Sequence, residues 1–173
     1  VYTGMIDENQ RDAFNAIELC KHLSSSYTLN IAGTGSRESI HRILETIKLH
    51  NDRYPCIVSY DGTFTGKEFD EYVSKFDVGL NIRATTEGYD LYSFPSKILM
   101  YLSHGLDVFT TPIRCVVNSK IAPFLNIAST YDNFVEMSKE LSATELSNKT
   151  KTHDLIEALD GDFKNSLQLI IKN

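Results

Sequence analysis

The sequence predicts an α/β fold, a Rossmann-like parallel sheet of about six strands with helices on both faces. Short apolar runs of strand length alternate along the chain with segments whose apolar residues recur at helical spacing. Repeated strand–helix units of this kind form parallel sheets with right-handed crossovers. The 173 residues are enough for one such domain with a buried core.

The first two strand–helix units occupy roughly the first 50 residues. Residues 1–3 form the first predicted strand, and Asp7 or Asn9 is the predicted cap of a helix that runs to about residue 23. Its apolar face carries Ala13, Phe14, Ile17 and Cys20. The second strand, 27–32, ends in a Gly-Thr-Gly turn, and the strongest amphipathic pattern of the chain follows in Ile40, Ile43, Leu44 and Ile47.

A third unit and a fourth strand follow. Residues 56–60 predict a strand that closes on Asp61 and Gly62, and Thr65 is the predicted cap of a helix through residue 76. Residues 78–82 predict the fourth strand, after which polar residues predict a loop as far as residue 92.

The last third of the chain begins with a well-marked helix. Ser93 is its predicted cap, Pro95 lies in its first turn, and Gly105 ends it. The remaining predicted elements are two strands at 108–110 and 127–129 and two helices at 132–141 and 153–171. We therefore predict one domain over residues 1–141, with a helical tail of the same domain over 142–173.

Composition and charge exclude several classes of protein. The content of 42% hydrophobic and 23% charged residues is typical of soluble globular domains. The net charge of −6, with no basic stripe, argues against nucleic-acid binding. Three widely spaced cysteines lack the spacing of a zinc site, which predicts no metal and a reducing, cytoplasmic location. The chain opens directly on a strand without a signal sequence, as expected of an internal piece of a longer protein.

Candidate ligand-binding residues follow the ends of the predicted strands. Open α/β sheets bind ligands beyond the carboxyl ends of their strands. The residues in such positions are Gly4, Gly33, Gly35, Asp61, Gly62, Arg83, Ser93, Ser96 and Lys97.

Lys97 is the most informative of these residues. A helix N-terminus exposes free N–H groups that suit a phosphate, and Ser93 and Ser96 add hydroxyl donors. A lysine in the first helical turn opposes the helix dipole unless an anion lies nearby. The residues alone leave two interpretations open, an anion site and a capped helix with an exposed lysine.

The segment Phe-Pro-Ser-Lys-Ile-Leu at 94–99, followed by Tyr101, Leu102 and Gly105, resembles the GT4-like retaining glycosyltransferases of the GT-B fold. Bacterial members of this family often build capsule and other surface polysaccharides. Four other stretches resemble the same family, namely residues 1–4, 29–35, 58–62 and 77–83. The resemblance covers residues 1–141 and identifies the chain as similar to the C-terminal, donor-binding half of the fold.

The resemblance implies roles for the candidate residues. Arg83 and Lys97 would be catalytic, stabilising charge on the diphosphate leaving group. The other donor-binding positions would be Gly4, Arg11 and Ser96 at the phosphates, Ser93 at the helix start, and Gly33, Gly35, Asp61, Gly62 and Phe64 near the nucleobase. Arg11 occupies a position where the family commonly has a phosphate-binding lysine, so we expect it within reach of the same phosphates as Lys97.

Three positions depart from the family pattern. Met5 stands where an arginine is usual, and Tyr92 and Met100 replace a pair of glutamates that are separated by seven residues. The second glutamate usually holds the ribose hydroxyls, so here that contact is expected from elsewhere, with Glu87 as the candidate.

The expected function is transfer of a sugar from a nucleotide-diphosphate sugar to a glycan or lipid-linked acceptor, with retention and without metal or cofactor. The acceptor would be held by an N-terminal domain outside this sequence, and the whole protein would lie at the inner face of the membrane. Two alternatives remain. The first is a non-catalytic nucleotide-binding or interaction domain, motivated by Met5, Tyr92 and Met100. The second is a phosphotransfer receiver domain with Asp61 as phosphoacceptor.

Overall fold

The computed structural model describes residues 1–9, 11–83, 93–143, 154–162 and 164. The strands β1 to β6 are Tyr2–Thr3, Thr28–Ala32, Ile57–Gly62, Val78–Asn81, Asp107–Thr110 and Asn126–Ile127. The helices α1 to α6 are Asp12–Cys20, Arg37–Asn51, Gly66–Val73, Ser96–Ser103, Arg114–Val117 and Tyr131–Ala143. A 3₁₀ turn, Ala122–Phe124, precedes β6, and residues 154–162 are helical.

All the strand pairs are parallel, in two three-stranded ladders with the orders β1-β2-β3 and β4-β5-β6. Val1 joins the two ladders, because its N–H donates to the Val78 carbonyl at 2.6 Å and its carbonyl accepts from Leu80 N–H at 2.9 Å. In a parallel strand pair, a residue forms hydrogen bonds with the two residues that flank its partner on the neighbouring strand, as Val1 does here. The spatial order is therefore β3-β2-β1-β4-β5-β6, the order of a doubly wound sheet.

Two apolar cores cover the two faces of the sheet, as the sequence predicts. The first core contains side chains of α1, α2 and α6 packed on Leu29, Ile31, Val58, Leu80 and Phe109. The second contains side chains of α3, α4 and α5 packed on Val1, Ala32 and Val108. Leu155, Ile156 and Leu159 of the last helix also pack against the second core.

The start of α1 differs from the prediction. The helix begins at Asp12, and Arg11 precedes it in a left-handed conformation with a φ of 55°. The Asp7 carboxylate instead accepts from Asn9 N–H at 2.6 Å, closing a separate turn. An aspartate can cap a helix or close its own turn, and the sequence pattern does not distinguish these two uses.

Other differences concern short elements and helix faces. Leu44 is 46% exposed, because α2 is buried along Ser39, Ile43, Ile47 and His50. Ser93 is not the cap of α4, which begins at Ser96 after Pro95 and has no side-chain capping bond. The helix α5 was not predicted, because four residues are too few to show a periodic pattern. The predicted loop follows the fourth strand from residue 83 to residue 92, and its residues 84–92 lie outside the described residues, as does most of the predicted tail.

Tyr101 fixes α4 to the centre of the sheet. Its hydroxyl accepts from Thr3 N–H at 2.8 Å and lies 3.0 Å from the Thr3 hydroxyl, and its ring is fully buried. A Cβ on Gly79 would lie only 2.3 Å from that ring, so the ring packs directly on the backbone of β4. Burial raises the pKa of Tyr101 to about 12. One side chain thus holds α4 against both central strands.

We predict that Tyr101→Phe lowers the free energy of unfolding by about 1–3 kcal/mol, because it leaves the buried Thr3 N–H without an acceptor. Urea denaturation measures the change. Tyr131→Phe is the control, since the Tyr131 ring is 44% exposed and its change is expected within about 0.5 kcal/mol. Equal stability of the two variants would contradict the anchoring role of Tyr101.

Candidate functional site

The candidate site lies where β1 and β4 end side by side. The helix α1, after β1, covers one face of the sheet, and α4, after β4, covers the other. A crevice opens at such a point of a doubly wound sheet, because the connections leave the two strands in opposite directions. Both helices begin at this edge, so Asp12 and Lys97 approach it from opposite faces.

A cavity of about 590 Å³ occupies this edge, and we refer to it as the strand-end cavity. It is lined by Thr3, Gly4, Met5, Ala32, Gly33, Thr34, Thr63, Phe64, Thr65, Phe69, Ser96, Lys97 and Met100. The loops after β1, β2 and β3 and the first turns of α4 therefore share one concave surface. Five of the residues expected to bind a donor line it, namely Gly4, Gly33, Phe64, Ser96 and Lys97.

Lys97 is the second residue of α4, and its ammonium lies over the edge of β1. The Nζ atom is 4.3 Å from the centre of the Tyr2 ring and 3.2 Å from where a Cβ on Gly4 would stand. Burial lowers the pKa of Lys97 to about 8, an effect that the nearby Asp12 opposes and Arg83 adds to. The structure thus brings the three charged groups Lys97, Arg83 and Asp12 together.

Asp12 is a site residue that the sequence analysis missed. Burial raises its pKa, while Lys97 and Arg83 act in the opposite direction. Acidic residues are common in the first turn of a helix, because they interact favourably with the helix dipole. The only feature of the sequence that could have indicated a site role for Asp12 is its position directly after the β1 loop.

Arg83 directly follows the carboxyl end of β4. Its backbone N–H donates to the Thr111 hydroxyl at 3.2 Å, and its carbonyl accepts from that hydroxyl at 2.9 Å. These two bonds fix the backbone from which the guanidinium extends. Arg83 does not line the strand-end cavity; it lines a second cavity of about 480 Å³, together with residues of α1 and of the start of α6.

Gly33 and Gly35 allow the β1 and β2 loops to pack closely. A Cβ on Gly33 would lie 1.7 Å from the Gly4 carbonyl oxygen, and one on Gly35 would lie 2.5 Å from the Ile6 carbonyl oxygen. The two loops are hydrogen-bonded, with Gly4 N–H donating to Ala32 and Ile6 N–H donating to Thr34. The packing of the two loops therefore explains Gly33 and Gly35 without a ligand, and of these two glycines Gly33 alone lines the strand-end cavity.

Asp61 and Gly62 stabilise the end of β3 through hydrogen bonds. The Asp61 carboxylate accepts from Asn30, Ser59 and Tyr72 at 2.7–2.8 Å. Burial alone would raise the pKa of Asp61, but these three hydrogen bonds hold it below its usual value. Gly62 has a φ of 90°, and its carbonyl accepts from Gly33 N–H at 2.8 Å. Neither residue lines the strand-end cavity.

Phe64 and Phe69 form an aromatic wall on one side of the cavity. The Phe64 ring stacks on Tyr72 with 4.2 Å between ring centroids. The Tyr72 hydroxyl bonds to Asp61, so the Asp61 network fixes this wall. The loop is also held by Thr63, whose hydroxyl donates to the Gly33 carbonyl at 3.0 Å.

Arg11 and Ser93 are also absent from the lining of the strand-end cavity. Arg11 is exposed and lines a separate cavity of about 300 Å³ with Glu8 and Arg42, which form an ion pair. Ser93 precedes the helix, and its carbonyl accepts a weak bond from Cys115 Sγ at 3.6 Å. Glu87 and Tyr92 lie outside the described residues, so their predicted positions stand as predictions.

Within the described ranges, no group of three or more histidine, cysteine, aspartate and glutamate side chains is arranged to hold a metal ion. Cys20, Cys56 and Cys115 are free thiols. In that same part of the chain, none of the helices combines the length and the apolar character required to cross a lipid bilayer.

The chain matches no protein-family model and no curated protein sequence. Its fold, however, matches solved structures over nearly its whole length. HepE from Anabaena, in complex with UDP and glucose, superposes with a TM-score of 0.65 at 11% identity over 96% of this chain and 48% of HepE. A trehalose-6-phosphate structure from E. coli, with bound UDP-2-fluoro glucose, gives a TM-score of 0.64 at 13% identity over 95% of this chain and 40% of that protein.

AviGT4, a glycosyltransferase involved in avilamycin A biosynthesis, gives a TM-score of 0.61 at 11% identity over 94% of this chain and 49% of AviGT4. The chain has the Rossmann-like fold of a GT-B domain. It spans less than half the length of each of these proteins. At these identities the likeness establishes the fold.

We predict that Gly33→Ala lowers the free energy of unfolding by about 3 kcal/mol or more, because the added methyl would overlap the Gly4 carbonyl. Gly161→Ala is the matched control, since that helical glycine has open space around it and alanine should add about 0.5–1 kcal/mol. Thermal and urea unfolding compare the two variants. A Gly33→Ala variant as stable as the wild type would contradict the close packing of the two loops.

Proposed function

We propose that this chain is the nucleotide-sugar donor-binding domain of a GT4-like retaining glycosyltransferase. The observation that carries the proposal is the position of Lys97, in the first turn of α4, beside Gly4 and within the strand-end cavity. The segment at 94–99 that resembles this family contains that lysine. The similarity in fold to HepE with UDP and to the E. coli protein with UDP-2-fluoro glucose supports the same assignment.

The chemistry proposed for the site is stabilisation of a leaving group. Breaking the bond between the sugar and the diphosphate places negative charge on the diphosphate. Lys97, Arg83 and the free N–H groups at the start of α4 would stabilise that charge in place, without reorganising at the moment of reaction. Lys97 is suited to this role because its burial is unfavourable until an anion arrives, as its lowered pKa indicates.

The remaining steps are assigned to the rest of a longer protein. The acceptor, a glycan or a lipid-linked sugar, and the base that serves it would be held mostly by an N-terminal domain. We expect little turnover from this chain alone. The proposal has four further parts. The reaction would retain the configuration at the anomeric carbon and would need no metal or cofactor. The protein would act in surface or capsular polysaccharide synthesis, in the cytoplasm at the inner face of the membrane.

A non-catalytic nucleotide-binding domain on the same fold is the second candidate. Two side chains favour it, since Met5 and Met100 both line the cavity at positions where the resembled family usually has an arginine and a glutamate. Catalytic assays of the full-length protein distinguish this candidate from the first. A receiver domain is less favoured, because the Asp61 carboxylate is occupied by three internal hydrogen bonds.

The direct test of the proposal is a thermal-shift panel of UDP, GDP, dTDP and their sugars at up to millimolar concentration. A ligand that binds the folded state alone raises the melting temperature by mass action. At least one nucleoside diphosphate is expected to do so. If none of them shifts the melting temperature, the donor-site assignment is wrong.

We predict that Lys97→Ala weakens binding of the nucleoside diphosphate by about 1.5–3 kcal/mol, the usual range for a hydrogen bond to a charged group. Ser96→Ala removes one neutral donor and should have a smaller effect. Folding should be intact or slightly improved in Lys97→Ala, because the buried charge is removed. Calorimetric titration measures the affinity, and melting curves measure the stability. Unchanged affinity in Lys97→Ala would mean that residues 94–97 only begin a helix and do not bind the diphosphate.

The lowered pKa of Lys97 predicts that diphosphate affinity depends on pH. Below about pH 8 the ammonium is already charged in the free protein. Above this value the ligand must bind together with a proton, so affinity is expected to fall by up to about tenfold per pH unit. Lys97→Arg keeps its charge and should give a flat profile between pH 7 and 9. A flat profile in the wild type would mean that the Lys97 ammonium does not contact the phosphates.

A further inference from the structure

Asp12 faces the Lys97 ammonium from the other side of the sheet. It is the first residue of α1, it is partly buried, and α1 covers the face of the sheet opposite α4. The Tyr2 ring belongs to the core that α1 covers, and the Lys97 Nζ atom lies 4.3 Å from the centre of that ring. The ammonium therefore reaches past the end of β1, toward the face on which α1 begins.

The groups that face Asp12 come from three other parts of the fold. Lys97 belongs to α4, Arg83 follows β4, and Tyr2 lies on β1. Burial raises the pKa of Asp12, and the positive charges of Lys97 and Arg83 oppose that rise. Burial likewise raises the pKa of Tyr2, and the negative charge of Asp12 adds to this rise. Asp12 thus contributes a negative charge at the place where Lys97 is proposed to hold a diphosphate.

This charge has two opposite effects on a diphosphate. It stabilises the Lys97 ammonium, whose pKa burial lowers to about 8. It also repels the phosphates, because like charges interact more strongly in a partly buried site than in water. Well below pH 8 most of Lys97 is charged, so the repulsion is the larger of the two effects. Asp12 therefore lowers the affinity of the site for anions at neutral pH.

A nucleoside diphosphate and its sugar derivative differ in the charge that this repulsion acts on. The terminal phosphate of the free diphosphate ionises a second time at about pH 6, so it carries nearly two negative charges at neutral pH. In the sugar derivative the same phosphate is bonded to the sugar and carries one negative charge. The free diphosphate is also the product that remains when the sugar is transferred.

We propose that Asp12 makes the site discriminate against its own product, so that the free nucleoside diphosphate is released more readily than the nucleotide-sugar donor. The inference rests on the proposed donor-binding function, and it gives Asp12 a part in specificity and not in the chemical step. A repulsive group that acts more strongly on one ligand than on another produces specificity. Turnover benefits, because a tightly held product would occupy the site that the next donor needs.

Calorimetric titration of UDP and UDP-glucose against the wild-type chain and Asp12→Asn tests the proposal at pH 7. The asparagine keeps the size of the side chain and removes its charge. UDP should bind about tenfold tighter to Asp12→Asn than to the wild type, and UDP-glucose only about threefold tighter. Contacts of the glucose cancel, because each ligand is compared in two proteins that differ at residue 12 alone. Where the thermal-shift panel favours another base, GDP with GDP-glucose or dTDP with dTDP-glucose replaces this pair.

The pH profile separates repulsion by Asp12 from a structural effect of the substitution. Protonated Asp12 is uncharged, so the wild type should approach Asp12→Asn in acid, at a higher pH than for an ordinary aspartate because burial raises the pKa of Asp12. Toward pH 9 the gain should shrink as well, because Asp12→Asn lacks the charge that helps to keep Lys97 protonated. The ratio of the two UDP affinities should therefore pass through a maximum between these limits. The ionisation of UDP itself cancels in this ratio.

Three further variants serve as controls. Asp52→Asn removes the same charge from an exposed residue at the end of α2, at the opposite edge of the sheet, and should bind UDP within about twofold of the wild type. Asp12→Glu keeps the charge and should restore the wild-type ratio of UDP to UDP-glucose affinity. Asp12→Ala repeats the comparison if melting curves show that Asp12→Asn does not fold.

The outcomes separate this inference from the proposed function. A gain for UDP-glucose as large as the gain for UDP overturns the inference and leaves donor binding intact. A gain that is the same at every pH, or an affinity of Asp12→Asn for UDP no higher than that of Asp52→Asn, has the same consequence. Binding of none of UDP, GDP and dTDP by the wild type overturns the donor site, and this inference with it.

Discussion

The hydrogen bond between Thr3 and Tyr101 determines where the candidate site can form. In the register set by Val1, the next bond between the central strands would run from Thr3 N–H to the Leu80 carbonyl. Thr3 N–H donates instead to the Tyr101 hydroxyl, so a side chain of α4 replaces a strand partner. The crevice at the end of β1 begins at Thr3, where the Tyr101 hydroxyl takes the place of the strand carbonyl as acceptor.

The same bond sets the position of the charged group. Lys97 precedes Tyr101 by four residues, so the two side chains lie one above the other on the same face of α4. Because Tyr101 meets β1 at Thr3, Lys97 lies one turn further on, beside Gly4 and over the Tyr2 ring. Gly79 completes the arrangement, since any side chain there would push the Tyr101 ring away from the sheet.

The order of strands and helices and the two-faced core could be predicted from sequence, because apolar periodicity directly records which side of an element is buried. The role of each glycine could not. Gly33 occupies a position where a ligand is expected to lie close to the backbone, but in the structure it is the backbone of Gly4 that lies close to Gly33. Close contact with a ligand and close contact with another loop both require a residue without a Cβ, so glycine alone does not distinguish between them. Asp12 was missed for a related reason, since a first-turn acid also serves the helix dipole.

The charged groups of the site favour a negatively charged ligand. Asp12 is the carboxylate that acts on Lys97, but it does not compensate for burial, because the pKa of Lys97 remains lowered to about 8. Arg83 adds a second positive charge to the same cluster. Asp12 therefore supplies one negative charge against two positive ones. A diphosphate brings at least two further charges to a helix N-terminus that already attracts anions. The net positive charge of the cluster and the start of α4 therefore both favour an anion, as the proposed diphosphate donor requires.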